Sequence, residues 1–121
     1  MKDRIIIPKL LVYIDKISSY TSEMDIKDLP RNTMALEACV FCLSQMGELT
    51  KTLSDDFKAS HPEVPWASMA GLRNRIVHDY EGVNVDLICD IIGNDLAGLK
   101  IKLHKISSSW EKLDDDAVGE T

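Results

Sequence analysis

A chain of 121 residues with 45% hydrophobic and 28% charged residues has the make-up of one globular domain, near the small end of what a single core supports. The formal net charge is −6, and residues 111–121 carry −4 of it through five acids and one lysine. That balance excludes tight binding of long nucleic acid through general electrostatics and points instead to a small, local cationic site.

Residues 4–20 are predicted as a first helix, with Leu10, Leu11, Ile14 and Ile17 at helical spacing and Pro8 tolerated in the opening turn. The apolar residues before Pro8 are too few for a signal peptide, and no run approaches the roughly 20 apolar residues that span a bilayer. A cytoplasmic location without membrane attachment is expected. Thr21–Arg31 is polar and ends at Pro30, so it is predicted as a connection with one short helical turn. Asn32 or Thr33 can cap a long second helix running to about Ala59. Its stretch Ala38–Leu43 is apolar all round and must be covered on every side, which suggests both the centre of a bundle and a subunit interface.

Cys39 and Cys42 stand inside that run with Val40 and Phe41 between them, and no second pair or nearby histidine completes a metal site. They are expected as buried small hydrophobes, and the odd total of three cysteines fits a reducing compartment. Ser60–Val64 is predicted as a loop in which His61, before a proline, has a structural role.

Residues 65–80 are predicted as one helix, with Pro65 in its first turn. On a continuous helix, Met69, Ala70, Ile76, Val77 and Tyr80 form one apolar stripe with Arg73 in its middle, while Asn74 and His78 stand one turn apart on its edge. A guanidinium in an apolar face needs either a carboxylate partner or a cleft that receives an anion. Both readings stand at this point. Glu81–Asn84 then turns the chain, and Asn84 or Asp86 begins a final long helix carrying Leu87, Ile88, Ile91, Ile92, Leu96, Leu99, Leu103, Ile106 and Trp110. Gly93 and Gly98 predict a bend in it. Strand patterns, repeats and phosphate loops are missing, so the class is all-α.

Arg73, Asn74, His78 and Tyr80 together spell R-N-x-x-x-H-x-Y, preceded by His61-Pro62-Glu63-Val64-Pro65-Trp66 and by Met46-Gly47-Glu48, and followed by Asp95-Leu96. In these motifs the chain resembles the HEPN superfamily of helical nucleases, and within it the HepT branch, over roughly residues 4 to 110. The resemblance implies an up-and-down bundle of four to five helices that dimerises, with a domain over residues 1–113, and the run Asp114–Asp116 marks 114–121 as an acidic, disordered tail. It implies a metal-independent endoribonuclease without a cofactor, acting as the toxin of a type VII-like toxin–antitoxin pair. Its partners would be RNA, a second copy of the chain, and a minimal nucleotidyltransferase as antitoxin.

The chemistry of the residues agrees with that assignment. RNA brings its own nucleophile, the 2′-OH, so cleavage needs proton transfer and positive charge on the phosphorane. His78 has a suitable pKa range and Arg73 a planar fork matched to phosphate oxygens. Asn74 and Arg75 would support the substrate. Tyr80 has two readings, a buried tyrosine with a bonded hydroxyl, or the residue that the antitoxin adenylylates in HepT relatives. Glu81 and Cys89 depart from residues common in relatives, which bears on local packing and substrate choice. The alternative function is a non-catalytic nucleotide-binding subunit of a nucleotidyltransferase.

Overall fold

A computed structural model of the chain describes residues 2–78 and 82–119, with the side chains of all but 78 and 117–119. The fold is all-α. Helix α1 (Lys2–Thr21) leads through a 3₁₀ turn (Ile26–Arg31) to α2 (Thr33–Lys51), as the sequence predicts. Asn32 caps α2 by accepting a hydrogen bond from the Ala35 N–H at 3.1 Å, and Asp25 caps the 3₁₀ turn in the same way through Lys27.

Helix α2 does not run on to Ala59. It stops at Lys51, where the Thr52 hydroxyl donates to the Leu49 carbonyl at 2.7 Å. A separate helix, α3 (Asp55–Ser60), starts at Ser54, whose Oγ accepts from the Phe57 N–H while Asp55 and Asp56 occupy the first turn. Asp3 on α1 fixes this corner, accepting from the Ser54 N–H at 2.9 Å and from its hydroxyl at 2.8 Å.

The predicted helix over 65–80 is three pieces. Helix α4 (Trp66–Ala70) ends at Gly71, α5 (Leu72–Ile76) comes next, and Val77–His78 leaves in an extended strand, β1, paired antiparallel with β2 (Gly82–Val83). Asn84 then caps α6 (Val85–Asp90) through the Leu87 N–H. A π-helical turn (Ile91–Asp95) joins α6 to α7 (Leu96–Gly119) without a break, so the expected bend at Gly93 takes the form of one wide turn. Helix α7 continues through the segment expected as a tail, as far as Gly119.

The core is a single cluster built from Ile7, Leu10, Ile14 and Ile17 of α1, Cys39, Leu43 and Met46 of α2, and Ile76, Ile88 and Leu103 of the later segments, all at most 1% exposed. Burying each such side chain contributes about 1.5–3 kcal/mol. The buried Thr50 hydroxyl is satisfied by donating to the Met46 carbonyl at 2.8 Å. Cys39 and Cys42 lie in this core, as expected of small hydrophobes. No helix among the described residues is long and apolar enough to cross a membrane.

Candidate active site

The segment carrying the motif is held from behind by Gly47. A Cβ at that position would stand 3.1 Å from the Met69 carbonyl oxygen and 3.5 Å from that of Ala70, so the hydrogen side chain lets α2 touch the backbone of α4. The Met46-Gly47-Glu48 match thus has a packing role, with Met46 buried on the core side and Glu48 exposed and paired to Lys51 at 3.0 Å.

The approach to α4 is also fixed. The Trp66 indole N–H donates to the His61 carbonyl at 2.9 Å, and the Phe57 ring packs against His61, Trp66 and Trp110 at centroid distances of 4.7, 5.8 and 6.0 Å. His61 is half-buried in this cluster, with Nδ1 3.5 Å from Glu63, which fits the structural role expected of it.

Gly71 interrupts the helix just before the motif. Helical bonding nevertheless crosses Gly71, whose carbonyl accepts from the Arg75 N–H at 3.1 Å, so the phase of Met69 is kept as far as Ile76 and ends at Val77. The buried face is Met69, Leu72 and Ile76, and Arg73 is exposed rather than set in the middle of an apolar stripe. Arg73, Asn74 and Arg75 all stand on the solvent side of α5. The need for a buried carboxylate partner therefore disappears.

His78 is not on the helix of Arg73. Val77, with φ −109° and ψ 123°, carries the backbone into β1, where His78 pairs with Gly82 and Val77 with Val83. The chain then advances at about 3.3 Å per residue in place of 1.5 Å, so the one-turn helical register expected between Asn74 and His78 is not kept. The Asn84 N–H closes this hairpin on the Ile76 carbonyl at 2.7 Å, and Gly82 at φ +85° supplies a backbone conformation that favours glycine. Tyr80 lies outside the described residues.

Arg75 lines a half-open groove of about 470 Å³ between α4–α5 and the start of α7. Its floor includes Met69, Leu72 and Leu99, and Lys102 and Asp95 also line it. The Asp95-Leu96 match therefore falls on the groove, with Leu96 buried beneath it. Sequence reasoning did not find Lys102, although its lack of acidic neighbours was visible. No cluster of three or more His, Cys, Asp or Glu able to hold a metal occurs among the described residues.

The described residues thus form an all-α bundle in which α5 exposes Arg73, Asn74 and Arg75 and Arg75 lines the groove with Lys102. The chain belongs to the family described as "Ribonuclease HepT-like", which matches residues 10–106. A Thermococcus cleftensis protein named "Probable ribonuclease HepT" is 33% identical over 93 residues, 77% of this chain and 84% of that protein. Two Methanocaldococcus jannaschii proteins, each named as a candidate RNase, are 28% identical over 109 residues and 27% identical over 103, covering 90% and 85% of this chain and 90% and 89% of their own lengths. No solved structure gives a significant match.

Proposed function

We propose that the chain is a metal-independent endoribonuclease in which Arg73 and His78 carry the reaction. Membership of a ribonuclease family is the observation that supports this most, and the exposure of Arg73, Asn74 and Arg75 on one short helix beside the His78 hairpin agrees with it. Arg73 would hold the non-bridging oxygens as charge builds on the phosphorane, and His78 would take the 2′-OH proton or return one to the leaving 5′ oxygen. Asn74 and Arg75 would position the flanking phosphate.

The chain leaves the helix at Val77, so Arg73 and His78 stand on different elements of one protomer. A homodimer in which two motifs face one cleft would supply a second set of both. The outer face of α2 offers a contact surface in Phe41 and Met34, 58% and 84% exposed at a spacing of seven residues.

Control would come from a nucleotidyltransferase antitoxin in the cytoplasm, making the chain the toxin of a type VII-like pair. The Tyr80 hydroxyl would attack the α-phosphorus of ATP held with Mg²⁺ in the partner, forming O-AMP-tyrosine and releasing pyrophosphate. The added phosphate would compete for Arg73 and the adenosine would fill the cleft mouth.

The test is expression of wild type, Arg73→Ala and His78→Ala in a bacterial host, with RNA integrity followed and folding checked by circular dichroism. Loss of cleavage by both folded variants, with wild-type activity surviving EDTA, is expected. A folded His78→Ala protein that cuts RNA as wild type does would overturn the assignment. Nucleotide binding by a wild type that leaves RNA intact would favour the role of a nucleotide-binding subunit.

A further inference from the structure

This acidic chain has two longest stretches free of Asp and Glu, residues 64–78 and 96–110, each of 15 residues. They lie far apart in sequence, yet both line the same groove, the first through Met69, Leu72 and Arg75 and the second through Leu99 and Lys102. Negative charge has thus been kept from both walls, although Asp95 stands at one end.

The cations continue past the groove. Along α7, Lys102, Lys105 and Lys112 succeed one another by three and seven residues, turning only about 60° and then 20° around the helix, so they form one gently winding row whose last member stands beyond the acid-free stretch, after Glu111 and before Asp115 and Asp116. Lys105 and Lys112 line an adjoining shallow concavity with Ile101 and Ser108. Among the described residues, none of Arg75, Lys102, Lys105 and Lys112 has a carboxylate within ion-pair distance, whereas Lys100 is held by Asp15 at 2.8 Å.

We infer that this row is a binding track for single-stranded RNA flanking the cleaved bond, entered through the groove between α5 and α7. A base would rest on the apolar floor of Met69, Leu72 and Leu99. Phosphates would meet Arg75 and Lys102 first, then Lys105 and Lys112 along α7. Lysines are depleted at protein–protein interfaces, because each is a strongly hydrated charge on a flexible stem, and they serve well as point charges for phosphate. The occupant is therefore a polyanion rather than a second protein surface. The inference rests on the ribonuclease reading for the identity of that polyanion.

The experiment separates binding from cleavage. A His78→Ala protein is titrated with a labelled single-stranded RNA of about 12 nucleotides between about 50 and 200 mM salt, and compared with the same protein also carrying Lys102→Gln, Lys105→Gln and Lys112→Gln. Loss of three phosphate contacts should make the slope of log affinity against log salt shallower by about 2. With His78 intact, the triple variant should show a KM on the long RNA raised by more than its kcat falls. Equal salt slopes with and without the three lysines would overturn the track, even if the wild type cuts RNA. A lysine-dependent slope together with a wild type that cuts nothing would support the track and sink only the nuclease assignment. Unchanged slopes accompanied by a fall in solution mass would show that a second copy covers this face, and would also overturn it.

Discussion

Gly47 and Met69 approach so closely that a methyl group on the former would sit 3.1 Å from the latter's carbonyl oxygen. Neither group can swing aside, since one is helix backbone and the other is the backbone of α4. Alanine normally stabilises a helix interior by about 1 kcal/mol over glycine, but here overpacking outweighs that gain. Gly47→Ala should destabilise by about 1 kcal/mol net and lower Tm by about 4 °C, read by thermal denaturation. A Tm equal to or above wild type would show that α4 yields without cost.

Phe57 ties α3, the loop into α4 and the far end of α7 together through three ring contacts. Phe57→Ala should cost about 2 kcal/mol, less than for a fully enclosed ring because Phe57 is half-buried. Chemical denaturation would measure it, and hydrogen exchange should rise first in residues 54–66.

The outer face of α2 should control assembly if the chain dimerises there. Phe41→Glu would place a charge at the centre of that contact, while leaving the fold intact because Phe41 is largely exposed. Light scattering at micromolar concentration should report about twice the chain mass for wild type and the single-chain mass for the variant. Equal masses would move the interface elsewhere.

Burial pushes the Cys39 thiol up from 9.0 to about 11, with Cys42 and Cys89 adding to the shift. The folded state thus favours the neutral thiol. Its contribution to stability is complete below pH 9 and is lost as pH rises through about 11. Between these values the wild type should lose thermal stability more steeply than Cys39→Ala. At pH 8, iodoacetamide should modify the part-buried Cys89 before Cys39 or Cys42.

Local signals carried much of the architecture. Asn32 and Asn84 each precede an apolar run and each caps a helix through its side chain. Arg73 shows where such reading fails. Its expected place inside an apolar stripe left Leu72 out of the buried face and counted Val77 and Tyr80 into it, whereas Leu72 is buried beside Met69 and Ile76 and the helix ends at Val77. The division at Ser54 was visible as a serine before two aspartates, a helix start inside what looked like one longer helix. The hairpin was not legible, because two residues per strand give no alternation, and what closes it is the Asn84 N–H on the Ile76 carbonyl. The groove needed the fold itself, since its walls come from segments some 30 residues apart in sequence.

The π-helical turn at Ile91–Asp95 makes the chain's C-terminal third a matter of counting as much as of chemistry. Each residue advances a helix by about 100°, so a wide turn acts as a phase offset between Ile88 before it and Leu103 after it, both wholly buried. Deleting one residue there would let the two helices run as one regular helix with Leu103 and Ile106 still directed at the core, because the wide turn already absorbs about one residue's rotation. Inserting one residue just beyond it would instead swing Leu103 and Ile106 toward water and turn the lysine row by about 100°. Point substitutions in this turn change one contact, whereas a single-codon insertion after it would reset the orientation of the rest of α7.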